Sequence, residues 1–250
     1  MRMPRMYRDL AWTWALISPV EDYEREAAQF VAAIRRYALG DVHTILDLGC
    51  GGGHNDFHLK QWLRVTGVDL SDEMLSYART LNPEVEYLKG DMRNVRMGRK
   101  FDAVLIADAG SYLLTRADLR MAFKTAYTHL RPGGVLCTYQ EEAQERFRQH
   151  EVHVTQHSRG EVHIALVEYS YDPDLRDTEF DSVFVYLIKK DGSVEVVTDR
   201  HTLGLFTSGT WSDLLEEVGF AVREVSFEGE DFPLLIGMKP TLSGFTSMEG

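Results

Sequence analysis

The stretch Thr44-Ile45-Leu46-Asp47-Leu48-Gly49-Cys50-Gly51-Gly52-Gly53 constrains this chain more than any other. A short apolar run ends in an acid and passes at once into a glycine-dense turn. The run reads as a buried parallel strand, and the turn as the mouth from which a helix starts near His54. Glycines there permit positive φ and let a ligand approach main chain where a Cβ would clash. In an open α/β sheet such a turn lies at the carboxyl ends of the strands, where ligands bind.

The chain on either side supports a sheet of that kind. Upstream, Ser18, Pro19 and Glu21 predict a capped helix start, and Ala27, Phe30, Val31, Ile34 and Ala38 recur on one apolar face. Trp12 and Trp14 before it either pack an arm onto the body or form a lid over the ligand. Downstream, helical patterns at 54–62, 72–80 and 116–130 alternate with strands at 64–69, 85–88, 101–107 and 135–139. Ser71 caps the second of these helices, Thr115 with Asp118 opens the third, and Arg131-Pro132-Gly133-Gly134 breaks it. Alternation of this kind predicts a mainly parallel sheet with helices on both faces.

Beyond 150 the alternation stops. Segments 151–156, 161–171, 180–189 and 194–201 are strand-like with no helix between them, and Asp191-Gly192 is a hairpin signal. Thr210 and Asp213 then predict a short capped helix ending at Gly219, before strands at 220–227 and 233–239 that form an edge hairpin. The expected fold is a Rossmann-like, seven-stranded mainly parallel α/β sheet with an antiparallel β insertion between strands 5 and 6. Its expected units are an arm and capping helix at 1–43, a core at 44–150 and 202–240, an insertion at 151–201 walling the acceptor site, and a flexible tail at 241–250.

Composition sets the partners. A net charge of −12 and a pI near 5.2 argue against nucleic acid or an anionic membrane as the main partner, since both need clustered cations. Cys50 and Cys137 lack metal-ligand spacing and read as reduced, buried residues of a cytoplasmic protein. No uninterrupted apolar stretch follows Met1 to serve as a signal or membrane span.

Asp47 and Asp69 end consecutive strands, and an acid at the second position is placed to accept both ribose hydroxyls of an adenosine ligand. A dinucleotide fold uses the same device, but its third glycine would fall at His54. An acid just before the turn also disfavours a pyrophosphate and suits the ammonium group of S-adenosylmethionine (SAM).

Asp47 to Gly53 resembles motif I of the class I SAM-dependent methyltransferases. Gly67-Val68-Asp69-Leu70-Ser71 with Met74 is similar to their second motif, Gly90-Asp91-Met92 to the third, and Leu130-Arg131-Pro132-Gly133-Gly134-Val135 to the turn before their fifth strand. The resemblance implies that Gly49, Cys50, Gly51 and Gly53 pass the methionine tail and that Asp47 reaches its ammonium. It implies further that Asp69 binds ribose, Leu70 and Met92 sandwich adenine beside Met74, Asp91 accepts from the adenine amine, and Ala107 lies near the sulfonium. Gly90-Asp91-Met92-Arg93 and Asp199-Arg200-His201-Thr202-Leu203 resemble, more weakly, bacterial N-methyltransferases of amino sugar nucleotides. In that group Tyr23 would sit where a tyrosine covers SAM. The expected activity is methyl transfer to nitrogen or oxygen of a small molecule, by an enzyme of unassigned oligomeric state for which a homodimer is one option.

Asp108 is the leading candidate base, because it follows the fourth strand beside the expected sulfonium. Tyr112 is a wall or hydrogen-bond candidate on the same loop, and His201 a second base if the insertion folds back. A resident metal is not expected. His54 and His58 lack a third ligand, and a set of Asp108 with Glu141 and Glu142 is the minor alternative. Arg93, Arg96, Arg99 and Lys100 read as a solvated turn or a phosphate contact. A SAM-binding protein without turnover, and an NAD-type oxidoreductase, stay open as other readings.

Overall fold

The computed structural model describes residues 3–241, so the expected flexible tail lies, from 242 onward, outside the described residues. An arm of short turns ends in α1 (Trp14–Ile17) and leads to α2 (Glu24–Tyr37). The core then alternates β1 (Thr44–Leu48), α3 (His54–Leu59), β2 (Arg64–Asp69), α4 (Asp72–Leu81), β3 (Glu86–Lys89), β4 (Phe101–Ile106), α5 (Arg116–His129) and β5 (Leu130–Tyr139). Four strands follow without a helix: β6 (Glu151–Arg159), β7 (Val162–Tyr171), β8 (Glu179–Lys190) and β9 (Ser193–Gly204). The chain returns through α6 (Thr210–Val218) to β10 (Ala221–Val225) and β11 (Leu234–Met238).

The seven-stranded sheet runs β10-β11-β5-β4-β1-β2-β3, parallel from β1 to β5, with β11 antiparallel to both neighbours. β1 and β4 lie side by side, and the chain leaves them toward opposite edges. A crevice therefore opens beyond their carboxyl ends. Both strands are buried on two faces, which is why they read as mostly apolar runs rather than as alternating ones. Leu46, Leu48, Val104 and Ile106 pack toward α5 and α6, and Ile45, Ala103 and Leu105 toward α2.

Local signals act as expected at Ser71, which accepts from Met74 N at 3.0 Å, and at Thr115, which accepts from Asp118 N at 3.1 Å. Elsewhere the structure differs. Ser18 does not cap a helix: its hydroxyl meets the Tyr23 hydroxyl at 2.6 Å, and a 3-10 turn over Val20–Tyr23 precedes α2. α3 stops at Leu59 rather than 62, because tighter bonds from Gln61 N to His58 O and Trp62 N to Leu59 O close it. The Arg131-Pro132-Gly133-Gly134 segment lies within β5, since Leu130 already pairs with Phe101 and a bulge takes up the slack. Gly209, at φ +85°, is the N-cap of α6, while the Thr210 hydroxyl is bonded to that of Thr207.

β6 to β9 form a separate antiparallel sheet in sequence order. Asp191 and Gly192 both take positive φ, the two-residue turn that the Asp-Gly pair favours. The inner face of this sheet, with Ile164, Tyr186, Ile188 and Val197, closes on Met6, Leu10 and Ala11 of the arm and Met74 of α4. Full burial of side chains such as Met6 and Leu10 stabilises this docking by ~2 kcal/mol each. The arm is thereby clamped between insertion and core, across the crevice. Among the described residues no helix is long and apolar enough to cross a membrane.

Candidate active site

The glycine turn caps the crevice floor. Gly49 N and Cys50 N donate to Val68 O at 2.7 and 3.1 Å, bending the chain back over β2. Gly49 has φ +93°, and a Cβ there would collide with the Ala109 side chain and Met92. Gly51, also at positive φ, faces open space. Its N–H donates to Asp69 Oδ2 at 2.9 Å, and Ser71 N donates to Asp69 Oδ1 at 2.8 Å. Asp69 thus ties the turn to the end of β2 and keeps further lone pairs free for hydroxyl donors. Burial raises its pKa, and those N–H groups oppose the rise.

A cleft of about 560 Å³ extends from this turn. Asp47, Gly49, Cys50, Gly51, Asp69, Leu70, Met74, Asp91, Met92 and Ala107 all line it, as does Tyr23 from the opposite wall. Gly53 does not. It is the left-handed N-cap of α3, packed so that a Cβ would meet the Tyr87 hydroxyl at 2.6 Å. Leu70, 48% exposed, forms an apolar rim opposite Met92. Asp91 departs from a free acceptor: Arg93 Nε reaches both its oxygens at 3.0 Å, and Arg93 Nη1 holds Asp118 at 2.7 Å. Asp47 Oδ1 is buried without a hydrogen-bond partner. An orphaned acid at the floor, open space over Gly51 and a two-oxygen acceptor at Asp69 together fit the ammonium, main-chain and ribose ends of SAM.

The other half of the cleft carries the candidate chemistry. Asp108 and Tyr112 line it from the 3-10 turn after β4. The Asp108 carboxyl stays accessible from the cleft although protein encloses it on its other sides. That enclosure pushes its pKa up, and the Tyr139 hydroxyl, which donates to it, pulls it back. Burial followed by the Asp108 charge raises Glu26 to about 7 and Glu141 to about 8.

His201 does not reach the cleft. It is fully buried behind Tyr112, whose hydroxyl lies 2.6 Å from its Nδ1. Nε2 lies 3.0 Å from Asp199 Oδ2, and Tyr7 of the arm donates to the Tyr112 hydroxyl at 2.9 Å. A Nε2–H donated to Asp199 leaves Nδ1 to accept from Tyr112, so the acid sets the tautomer. Asp199 also accepts Arg5 N and Met6 N, at 2.9 and 2.7 Å. Burial alone would raise its carboxyl, but these donors and His201 hold it below the ordinary value. The chain Asp199–His201–Tyr112–Tyr7 therefore joins arm, insertion and core. Burial keeps both tyrosines well above the usual phenol value, so they are neutral.

Sequence reasoning missed Asp199, Tyr7 and Tyr139. Asp199 and His201 stand two apart on one strand and so share a face, a signal that was readable. Nothing near Tyr7 announces that it meets Tyr112 across 105 positions. Trp14 stacks on His54 beside the cleft with ring centres 5.8 Å apart, while Trp12 lies against Lys190. Burial lowers His54 to about 4, leaving it neutral, and His58 Nε2 bonds Val20 O at 2.8 Å. Among the described residues no group of three or more His, Cys, Asp or Glu is placed to hold a metal ion, the Asp108, Glu141 and Glu142 set included. Arg99 pairs with Glu86, Arg96 bonds Thr125, and Lys100 bonds Thr128 O, so the basic run is tied to its own neighbours.

An open, mostly parallel sheet with this turn and this acid-lined crevice defines a SAM-binding Rossmann-like protein. Residues 45–134 match the family model described as a methyltransferase domain. The chain is 36% identical over 118 residues to a dTDP-3-amino-3,4,6-trideoxy-alpha-D-glucopyranose N,N-dimethyltransferase of Streptomyces venezuelae, covering 46% of this chain and 49% of that one. This match thus spans about half the relative's length. Over nearly the whole chain it resembles the crystal structure of DesVI from Streptomyces venezuelae, with a TM-score of 0.81, 26% identity and 93% and 96% of the two chains covered. The SAM-bound amino pentose methyltransferase of Micromonospora echinaspora matches with a TM-score of 0.78 and 26% identity, over 87% and 91%. Residues 45–134 therefore match a methyltransferase domain, nearly the whole chain shares the fold of these methyltransferases, and the cofactor is SAM.

Proposed function

We propose that this protein methylates an amine nitrogen of a small molecule. The observation that supports this most is the charge of the acceptor side. Asp108 faces the cleft, and Glu26 and Glu141 stand near enough to feel its charge. Among the described cleft-lining residues the one Lys or Arg, Arg93, is committed to Asp91 and Asp118. Such a cleft attracts a cation or an amine and repels a carboxylate acceptor. The relatives named as amino-sugar and amino-pentose methyltransferases agree with this reading.

In this reading Asp47 receives the ammonium end of SAM, Gly49 and Gly51 pass its tail, Asp69 holds its ribose, and Leu70 with Met92 flanks its adenine. SAM so held supplies an activated methyl group. Asp108, itself held by Tyr139, anchors the acceptor amine. Tyr7 donates to Tyr112 and Tyr112 to His201, which leaves the Tyr7 oxygen free to accept an N–H from that amine. His201 and Asp199 are positioning residues that aim the two phenols. Orientation of this kind accounts for up to roughly 7–11 kcal/mol of a barrier in favourable cases. The arm, clamped on Asp199, keeps water from the site.

Incubation with methyl-labelled SAM and a panel of amino sugar nucleotides, simple amines, hydroxy compounds and carboxylates tests the reading. Label is expected in amine members. Label only in oxygen acceptors, or SAM binding without transfer to any member, overturns it.

We further propose that a second copy of the chain covers the outer face of the antiparallel sheet. Val152, Val154, Leu187, Val194 and Val196 are exposed there, and the strand register puts them on one side with Val167, Val183 and Val185. At ~4.8 Å between strands and ~3.3 Å per residue the face spans roughly 600 Å². Doubled across a two-fold axis it reaches the ~1,200 Å² that a stable interface needs. Sedimentation should give a dimer for the native chain and a monomer for V154R with V196R; a monomeric native chain overturns this.

A further inference from the structure

Beneath the glycine turn lie two acids in contact. Asp47, next to last in β1, is 3% exposed, and Asp56, on α3, is fully buried with its carboxyl against that of Asp47. Neither Asp56 oxygen, nor Asp47 Oδ1, has a hydrogen-bond donor. The Tyr87 hydroxyl stands beside Asp56; it accepts from Asn82 Nδ2 at 2.9 Å, which leaves its own proton free to turn toward the carboxyl, and the same amide nitrogen donates to Gly53 O.

The charged surroundings offer no relief. Asp69 faces the pair from β2, Asp108 from the loop after β4, and Cys50 from the turn. Lys60, the C-cap of α3, is the cation that acts on Asp56, and its amine is drawn outward to Glu84 at 2.8 Å. Two carboxylates in contact and out of water, with a single phenol proton beside them, cannot both ionise at their ordinary values. A proton between them supplies the donor that Asp47 Oδ1 lacks and leaves a single charge on the pair.

We propose that Asp56 is a positioning residue of the cofactor site that holds one proton in common with Asp47, and that the ammonium group of the incoming cofactor expels this proton. The inference rests on the reading of Asp47 as the partner of that ammonium. A cation beside Asp47 replaces the proton as the neutralising charge, and the proton leaves to solvent. Burial together with the neighbouring acid raises both carboxyls, Asp56 to about 6 and Asp47 well above its ordinary value. Cofactor binding is thereby coupled to pH: a protonated pair competes with the ammonium, and an ionised pair welcomes it.

Calorimetry with S-adenosylhomocysteine, which carries the same ammonium group, tests this without any acceptor. Titrations near neutral pH in phosphate and in Tris, whose ionisation heats differ, count the protons released. The native protein should release a substantial fraction of one proton and bind about tenfold more weakly at pH 5.5 than at pH 8. Asp56→Asn should still bind, since its amide donates to an ionised Asp47, but with heats that no longer depend on the buffer and an affinity flat with pH. Should that variant misfold, infrared difference spectra of the native protein decide: the carbonyl band of a protonated acid should vanish on ligand addition. Buffer-independent heats in the native protein, an unchanged acid band, or undiminished proton release in Asp56→Asn each overturn the proposal. No binding of S-adenosylhomocysteine at all overturns the cofactor reading beneath it.

Discussion

The Tyr112 hydroxyl lies 2.6 Å from His201 Nδ1, joining the loop after β4 to the last strand of the antiparallel sheet across 89 positions. This bond turns two separate features of the chain into one device. His201 lies in a wholly buried place on β9 and still acts on the cleft, through a phenol.

Asp199 secures the arm by accepting two of its backbone N–H groups and by holding His201. In Asp199→Ala those donors lose their partner, at a cost of about 1–3 kcal/mol apiece where they stay buried. Hydrogen exchange should show the amides of Arg5 and Met6 exchanging at least tenfold faster, with the central sheet unchanged. Equal protection in variant and native protein would contradict the clamp.

Asp69, the proposed ribose acceptor, also accepts Gly51 N and Ser71 N. Charge-assisted bonds contribute about 1.5–3 kcal/mol each, so Asp69→Ala should weaken S-adenosylhomocysteine binding by 100-fold or more in calorimetry (~3 kcal/mol). Asp69→Asn should lose less, because the amide oxygen still accepts one of the two N–H bonds.

The glycines of the turn differ in what they tolerate. Gly49→Ala meets both a positive φ and the Ala109 side chain, whereas Gly51→Ala meets only the φ. Backbone strain of that kind costs of order 1–3 kcal/mol, so Gly51→Ala should lower the melting temperature by a few degrees. Gly49→Ala should lower it further, and a smaller loss at Gly49 than at Gly51 in thermal unfolding would refute this account.

Asp102 anchors the start of β1, accepting His43 N, Thr44 N and the Thr44 hydroxyl at 2.8–2.9 Å as well as Arg131. Against the upward pull of burial these donors hold its pKa at about 2, below the ordinary 3.8. A depressed carboxyl stabilises the fold fully above the unfolded value and loses that contribution as pH falls toward the folded one. Native protein should therefore keep this contribution down to about pH 4 and lose it between pH 4 and 2. Asp102→Asn should be destabilised by ~2 kcal/mol at pH 7 and show a shallower acid limb in chemical unfolding.

The motif I turn, the acids at Asp47 and Asp69, the caps at Ser71 and Thr115 and the Asp191-Gly192 hairpin were legible because each is a local demand. A positive φ, a capped N–H or a buried strand leaves its mark on the residues that satisfy it. Helix ends were less legible where a capping side chain found another partner, as the Ser18 hydroxyl did in that of Tyr23. Asp91 was read as a free acceptor because the pull of Arg93, two positions on, competes with any ligand only once both are folded side by side.

By itself the sequence determined the sheet, its order of elements, the cofactor turn and the presence of an added antiparallel unit, all written in periodicity and in glycine and acid placement. Only the tertiary structure decided that the arm passes between insertion and core, that Tyr7 meets Tyr112, and that Asp47 and Asp56 lie in contact. Those pairings join residues from separate elements, so no local spacing encodes them. They follow from how apolar faces bury one another, which brings polar groups together that then must share donors, acceptors or a proton.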